Sequence, residues 1–235
     1  MILAIDTALA ATSACLLAPD GTTPVATETM FMTAGHAEAL LPLVDRIVAR
    51  APGGFSAVTR VAVTVGPGSF TGIRVGVAAA RAFGLACRVP VVGVSTLAAL
   101  AAPAIAVGAR PPIVAAVDAR HGNVFVQSFG VRGETLLGPA LMSAPEAARA
   151  LGPGPLRLIG SGGPAVARAA SAIGVTADTE GFHALPDIGF VARLGLLADP
   201  DTALARPLYL KAPDAAPPRP SGLLAAAEPK PPAAG

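Results

Sequence analysis

The sequence predicts an α/β protein in which one unit of secondary structure occurs twice. Short apolar runs of strand-forming residues alternate with longer stretches of helix formers. In the first half the order of these elements is βββαβαβα, and the same order begins again at Pro112. Both halves open on an apolar run that ends in an aspartate, Asp6 in the first and Asp118 in the second. An internal duplication explains the repetition. Two unrelated α/β halves are the alternative.

The elements of the first half follow from the spacing of its apolar residues. Alternating apolar residues between turn residues predict strands, and apolar residues three or four positions apart predict helices. The predicted strands are Ile2–Thr7, Thr12–Ala18, Val25–Met32, Val58–Val65 and Val89–Val94. The predicted helices are His36–Arg50, Ser69–Cys87 and one that begins near Ser95.

The second half repeats this pattern after a linker that we expect near Pro103–Pro112, where proline and glycine recur. Its predicted strands are Ile113–Asp118, Asn123–Phe129, Thr135–Met142 and Leu156–Ile159. Its predicted helices are Ala144–Leu151, Pro164–Ile173 and, after an irregular stretch, Pro186–Leu197.

These elements predict a first domain over residues 1–108 and a second over residues 109–206. The segment near 207–211 is expected to join the first. Residues 212–235 contain seven prolines and few large apolar side chains. Such a segment buries too little apolar surface to become ordered, so we predict a disordered, partly polyproline tail.

The composition is apolar but does not predict a membrane protein. Hydrophobic residues make up 53% of the chain, many of them alanine, and the mean hydropathy is +0.62. The stretch Val89–Ala109 carries no charge and is long enough to span a bilayer. Pro90, Gly93, Pro103 and Gly108 interrupt it, which favours a short strand, a helix and a linker over one spanning helix.

Charge and cysteine content exclude two further classes. A net charge of +2 falls short of the clustered basic surface of a protein that binds nucleic acid alone. The two cysteines, Cys15 and Cys87, are too few for a disulfide framework and lack metal-ligand spacing. Buried thiols in a reducing cytoplasm are the simpler interpretation.

The segment Gly66–Gly76 is the most distinctive in the chain. It joins a predicted strand to a predicted helix through a Gly-Pro-Gly turn, and the first amide groups of such a helix can bind an anion. A Walker loop would need a lysine where Ile73 stands. An adenine nucleotide or another anion therefore stays a candidate ligand only. Its candidate contacts are Asp6, Gly66, Gly68, Ser69, Thr71, Asp118, Arg120 and Gly162.

No catalytic or metal-binding residue is predicted. Two histidines four residues apart on a helix can share a metal ion, but Leu40 stands four positions after His36. A two-metal nuclease would need several converging carboxylates, and the strand before Gly66 ends without one. After Asp6 no glycine follows that would let the backbone approach a phosphate.

Two helices are predicted to offer a surface for a partner. The helix that begins at His36 carries one apolar stripe. In the next helix Gly72, Gly76, Ala80 and Gly84, hereafter the glycine ridge, recur every four residues and form a shallow surface. Packing of this ridge on the chain's own sheet is the alternative. The predicted interface residues are His36, Leu40, Leu41, Val44, Ile47, Phe70, Gly72, Ile73, Arg74, Gly76 and Ala80.

Several motifs together resemble one family. They are Ile2–Thr7, Gly35–Pro42, Gly66–Gly76, Gly93–Leu97, Val117–Arg120 and Pro207–Lys211. In this order they are similar to the bacterial TsaB family, also called YeaZ, over residues 1 to about 211. The Gly-Pro-Gly segment is the most specific of them. Asn123 and Lys211 depart from the family pattern, which often has an acidic residue and an arginine there.

The resemblance implies an actin-like, heat-shock-ATPase-like fold of two ribonuclease-H-like halves, each with a mixed five-stranded sheet. It also implies a role in adding threonylcarbamoyl to the adenosine 3′ of the anticodon in tRNAs that read ANN codons. In that family the catalytic subunit is a homologue, TsaD, and a small ATPase, TsaE, joins the pair. The resemblance further implies that tRNA binds only through the complex, that the two partner helices form a four-helix contact, and that the chain forms a homodimer when TsaD is absent.

The resemblance therefore favours a non-catalytic scaffold subunit of a cytoplasmic tRNA-modifying complex. A free-standing nucleotide hydrolase or phosphotransferase of actin-like fold is the alternative.

Overall fold

A computed structural model describes residues 1–109, 112–179 and 184–210 of the chain. The first half contains β1 (Ile2–Asp6), β2 (Ala11–Leu17), β3 (Pro24–Phe31), α1 (His36–Val48), β4 (Arg60–Gly66), α2 (Phe70–Cys87), β5 (Val91–Ser95) and α3 (Thr96–Ala106). The second contains β6 (Ile113–Asp118), β7 (Asn123–Phe129), β8 (Thr135–Ser143), α4 (Ala144–Ala150), β9 (Leu156–Ile159), α5 (Gly163–Ala172), β10 (Ala177–Asp178) and α6 (Ile188–Leu197). The predicted tail, residues 212–235, lies outside the described residues.

The two halves form sheets of the same topology. The strand orders are β3-β2-β1-β4-β5 and β8-β7-β6-β9-β10. In each sheet the first strand pairs antiparallel with the second and parallel with the fourth, so both sheets are mixed. The registers also correspond, since Ile2 pairs with Arg60 and Ile113 pairs with Arg157. The predicted α/β fold with two five-stranded halves is confirmed.

The sheets and helices form five layers. On the outside, α1 and α2 cover the first sheet while α4 and α5 cover the second. Between the sheets lie α3 and α6, which contact each other. The two helices are exchanged between the halves: α3 packs on β6 and β7, and α6 packs on β1, β2 and β4. Strands β1 and β2 are buried along their whole length because both faces of their sheet are covered.

Helix α3 extends into the segment that was predicted to be the linker. Pro103 lies inside this helix, so the connection between the halves begins after Ala106. The apolar residues decide this outcome, because Leu100 and Ala104 continue the helix into the core around the second sheet. The stretch Val89–Ala109 is thus divided between β5 and an 11-residue helix. The two-residue strand β10 was not predicted.

Among the described residues, α2 is the one helix long and apolar enough to cross a bilayer by length and composition. A core helix passes the same test, and α2 packs on β4 and on α1. One such helix is weak support for a membrane span.

Candidate functional site

The buried face of α2 receives the turn between β1 and β2. The Thr7 hydroxyl donates a hydrogen bond to the Gly72 carbonyl oxygen at 2.7 Å. A Cβ atom at Gly72 would overlap the Thr7 carbonyl oxygen, and one at Gly76 would lie 2.5 Å from Thr7 Oγ1. Glycine is needed at both positions because the helix approaches the turn too closely for a side chain.

This packing corrects the prediction that the glycine ridge faces a partner. Gly72, Gly76, Ala80 and Gly84 are all buried, and Gly84 lies against the side chain of Val91 in β5. The ridge packs on the protein's own sheet, which was the alternative that the sequence left open.

The predicted contacts from the apolar stripe are corrected in the same way. His36, Leu40, Val44 and Ile47 of α1 lie in the core of the first half, as does Ile73 of α2, which is 1% exposed. Leu40, Val44 and Ile47 have almost no exposed surface for a partner, so the prediction is wrong for these three, while His36 and Ile73 reach only the cleft described below. An apolar stripe on an amphipathic helix indicates the face that covers the protein's own core.

Most of the exposed residues of α1 and α2 lie outside the predicted interface set. Of the predicted set, Leu41 (58% exposed) and Arg74 face solvent, and Phe70 is half-buried. On α2 the exposed face continues with Leu85, which is 82% exposed, and with three alanines that we call the alanine ridge. The alanine ridge consists of Ala78, Ala82 and Ala86.

The alanine ridge repeats every four residues, as the glycine ridge does, but it is offset by two positions. Two helical positions correspond to about 200°, so the two ridges lie on opposite sides of α2. Because α1 and α2 contact each other, the exposed side of α2 and Leu41 belong to the same layer of the protein. The alanine ridge could have been recognised in the sequence, since its alanines recur every four residues as the glycines do.

A cleft of about 580 Å³ lies between the two halves. Its walls come from the β1–β2 turn, the start of α2, the β6–β7 turn and the end of the described chain. Of the predicted anion contacts, Gly68, Ser69, Thr71, Asp118 and Arg120 line this cleft.

The other predicted anion contacts, Asp6, Gly66 and Gly162, do not line the cleft and serve the fold instead. Gly66 adopts φ 107° beneath the Leu208 carbonyl oxygen, where a Cβ atom would not fit. The Gly162 amide donates to the Ala116 carbonyl oxygen at 2.9 Å. Contact of these three residues with a ligand has no support in this structure and stays a prediction.

Asp6 is the most deeply buried of the predicted ligand contacts. Its Oδ1 accepts hydrogen bonds from the Thr64 hydroxyl (2.5 Å) and from the Ala8 amide (2.9 Å). Burial raises the pKa of Asp6, and the hydrogen bonds from Thr64 and Ala8, together with the nearby His36, act in the opposite direction. The carboxyl group thus organises the β1–β2 turn and is withdrawn from the cleft.

The first turn of α2 is also occupied by the chain itself. The Ser69 amide donates to the Ala8 carbonyl oxygen at 2.7 Å, and the Ser69 hydroxyl accepts from the Gly72 amide at 3.3 Å. A Cβ atom at Gly68 would overlap the same Ala8 carbonyl. The Ser69 amide is therefore not available to an anion, whereas Thr71 of the same turn lines the cleft.

The opposite wall of the cleft is a turn of unusual backbone geometry. Arg120 and His121 have φ angles of 65° and 53°, in the left-handed region that few non-glycine residues adopt. The Asp118 side chain accepts from the Arg120 amide at 2.9 Å, and the Asp118 amide donates to the Ser161 hydroxyl at 3.0 Å. His36 also lines the cleft, and its Nδ1 lies 2.8 Å from the Thr12 hydroxyl.

An aromatic cluster closes one end of the cleft. The rings of Phe70 and Tyr209 are 5.0 Å apart between centroids, and the Arg74 guanidinium lies 3.8 Å from the centre of the Phe70 ring. Arg74 Nε also donates to the Tyr209 hydroxyl at 2.9 Å. The segment that carries Tyr209 is held by a hydrogen bond from the Leu208 amide to the Val65 carbonyl oxygen. Arg74, a predicted partner contact, thus binds its own chain.

No group of three or more histidine, cysteine, aspartate or glutamate side chains that could hold a metal ion occurs within residues 1–109, 112–179 and 184–210.

Comparison with known proteins agrees with this architecture. The family model for TsaD, tRNA N6-adenosine threonylcarbamoyltransferase, matches residues 30–192. The tRNA threonylcarbamoyladenosine biosynthesis protein TsaB of Escherichia coli is 37% identical over 124 residues, which is 53% of this chain and 52% of that protein. The chain thus spans about half the length of this curated relative.

Two further proteins match over most of their length. An uncharacterized protein of Mycobacterium tuberculosis (strain H37Rv) is 33% identical over 226 residues, covering 92% of this chain and 94% of that protein. The solved structure of YeaZ from Pseudomonas aeruginosa matches with a TM-score of 0.70 and 27% identity, over 89% of this chain and 99% of that chain. The chain therefore belongs to the TsaB (YeaZ) group of the family described by the threonylcarbamoyltransferase model.

Proposed function

We propose that this protein is a non-catalytic subunit of the complex that makes threonylcarbamoyladenosine in tRNA. It pairs with the homologous catalytic subunit TsaD, which transfers threonylcarbamoyl to the adenosine 3′ of the anticodon in tRNAs that read ANN codons. The ATPase TsaE joins the pair, tRNA is held through the complex, and the work is done in the cytoplasm. Membership of the TsaB group is the observation that carries the proposal, because the Escherichia coli relative is named for this pathway.

The surface for TsaD is the exposed side of the α1 and α2 layer. The alanine ridge lets another helix approach the backbone of α2 closely, since alanine side chains are short. Leu41 of α1 and Leu85 of α2 are 58% and 82% exposed, so both have apolar area to bury against a partner. A second copy of the chain uses the same surface when TsaD is absent.

The positions of the candidate catalytic groups support a scaffold role. Asp6 is buried and bound to Thr64 and Ala8, and the Ser69 amide at the start of α2 donates to the Ala8 carbonyl oxygen. A nucleotide hydrolase of actin-like fold is expected to approach phosphate through a glycine-containing turn after the first aspartate of each half, and the β1–β2 turn after Asp6 contains no glycine. The free-standing hydrolase gains no specific support from the cleft.

The substitution Ala82→Arg tests the surface. A long charged side chain on the alanine ridge should abolish co-purification with TsaD and prevent recovery of tRNA modification in an extract that lacks TsaB. The fold should persist because Ala82 is exposed. Ala172→Arg, on the exposed end of α5, is the matched control. It should leave both co-purification with TsaD and recovery of tRNA modification unchanged.

Undiminished complex formation by Ala82→Arg would contradict the proposed surface. Turnover of ATP by the purified chain alone, without any effect on tRNA modification, would favour the hydrolase instead.

A further inference from the structure

The described chain stops inside the wall of the cleft. Leu208, Tyr209 and Leu210 line it, and residues 211–235 follow directly. We propose that the cleft is a binding groove for a short apolar peptide segment, and that its occupant in this protein is Leu223–Leu224 of the same chain.

The open part of the cleft is suited to apolar side chains. Its volume of about 580 Å³ falls within the range of pockets that enclose small ligands and short peptide segments. Several polar groups on its walls already have partners within the protein, namely Ser69, Asp118 and the Tyr209 hydroxyl. The apolar lining comes from both halves and includes Leu9, Phe70, Phe125, Leu185, Leu208 and Tyr209.

The sequence that follows Leu210 contains one feature that matches this lining. Leu223 and Leu224 are the only large apolar residues in 211–235, and prolines flank them on both sides, ending at Pro220 and resuming at Pro229. Prolines restrict the backbone before binding, so a proline-flanked segment loses less conformational entropy when it docks. Extended proline-rich chains also pack well on aromatic rings such as those of Phe70 and Tyr209.

The residues between Leu210 and Leu223 act as a tether that raises the local concentration of the leucine pair at the cleft. A polyproline-like chain rises about 3.1 Å per residue, so the residues between Leu210 and Leu223 reach about 40 Å and can fold back along the cleft. Because the tether begins in the cleft wall, the local concentration of the leucine pair is on the order of millimolar. A free anion has no such advantage, and the Ser69 amide that would bind it already donates to Ala8.

The chain carries its own probe for this contact. Tyr209 is its only tyrosine, it has no tryptophan, and Tyr209 is 43% exposed. Quenching of tyrosine fluorescence by acrylamide therefore reports on the cleft alone. Acrylamide is uncharged, so charged substitutions do not change its local concentration.

The first experiment compares full-length variants. Replacing the two docking leucines with aspartates in Leu223→Asp/Leu224→Asp should weaken docking by about 100-fold or more. With the leucine pair released, we expect the Stern–Volmer constant of Tyr209 to rise by about twofold. Pro231→Asp/Pro232→Asp adds the same charge beyond the leucine pair and should leave the constant unchanged. Ala10→Arg blocks the cleft from an exposed position of its wall and should raise the constant as the leucine variant does.

The second experiment supplies the segment in trans. A peptide of residues 219–229, added to the full-length Leu223→Asp/Leu224→Asp variant, should lower quenching to the native level along a saturable curve. A peptide with both leucines replaced by aspartate should have no effect.

Three results would overturn the proposal. They are equal quenching of the native chain and the leucine variant, an increase that Pro231→Asp/Pro232→Asp shares, and a failure of the peptide to restore protection. A quenching constant that depends on protein concentration would assign the occupant to the tail of a second copy and so also reject the docking of the chain's own leucines.

Discussion

An aspartate ends the first strand of each half, and the two carboxyl groups have opposite surroundings. Asp6 is 1% exposed and accepts hydrogen bonds from Thr64 and Ala8. Asp118 is exposed on the wall of the cleft and accepts from the Arg120 amide of its own turn. One topological position therefore carries an internal structural group in the first half and a group that faces solvent in the second.

The corresponding helices α2 and α5 also differ in what their buried faces pack against. In the first half, Gly72 and Gly76 leave room for the β1–β2 turn to enter between α2 and the sheet. In the second half, the buried face of α5 carries Val166 and Ala170, both 0% exposed, and these fill the corresponding layer with ordinary side chains. A duplicated topology therefore does not duplicate a site. One short turn decides whether the carboxyl group is buried in the protein or exposed to solvent.

The largest effect should come from Gly72→Ala. Alanine usually stabilises a helix by about 1 kcal/mol relative to glycine. Here the added methyl group meets the Thr7 carbonyl oxygen, so we expect the free energy of unfolding to fall by about 2–3 kcal/mol. Urea unfolding followed by circular dichroism measures the change.

Gly138→Ala is the control for this substitution in the second half. A Cβ atom at Gly138 meets nothing within 4 Å, so the free energy of unfolding should change by less than about 0.5 kcal/mol. Equal responses of the two variants would show that close packing does not distinguish the halves.

A smaller difference should separate Arg60→Ala from Arg157→Ala. The two arginines occupy corresponding register positions, opposite Ile2 and Ile113. Arg60 Nη1 donates to the carbonyl oxygens of Gly195, Leu196 and Ala198 at 3.0, 2.9 and 2.9 Å, and so caps the carboxyl end of α6.

Loss of this charged cap should lower the free energy of unfolding by about 1–2 kcal/mol in Arg60→Ala. The Arg157 guanidinium donates to no helix carbonyl within the part of the chain that the structure describes, so Arg157→Ala should have a smaller effect. The midpoints of thermal unfolding give the comparison. A larger loss for Arg157→Ala would reverse our assignment of the cap.

The last difference concerns pH. Because burial raises the pKa of Asp6, the native protein binds this proton more readily than the unfolded chain does. The stability from this group is fully present below the unfolded pKa of about 4 and is lost as the pH rises through the raised native pKa. The stability of the native chain relative to Asp6→Asn should therefore fall with rising pH across that window and then stay constant.

Urea unfolding at a series of pH values tests this expectation. Asp118→Asn is the matched variant on the exposed carboxyl group, and at pH 7 its free energy of unfolding should differ from that of the native chain by less than about 0.5 kcal/mol. A relative stability of Asp6→Asn that does not vary with pH would contradict the buried environment of Asp6.

The order of the strands and helices could be predicted because each element carries its own apolar periodicity. The predicted β6, β7 and β9 have the bounds that the structure gives them. The direction in which α2 faces could not be predicted, because a ridge of small residues fits a sheet and a partner equally well. The orientation of α2 depends on Thr7, which is far from Gly72 in the sequence but contacts it in the folded protein.

The cleft was predicted only in part for the same reason. Its amino-terminal contributors, such as Gly68 and Ser69, stand in a conspicuous motif. Leu185 and Leu208 reach it from distant and unremarkable segments, and only the packing of α6 and the returning chain brings them there.

The exchange of α3 and α6 between the sheets also has a consequence for synthesis on the ribosome. Ile2, Ala62 and Val92 form an apolar face on the first sheet, and Ile188 and Val191 of α6 cover it. All five strands of that sheet leave the ribosome well before α6 is made. Until then this face is open to water, to chaperones and to neighbouring nascent chains, so the first half matures only after α6 has left the ribosome.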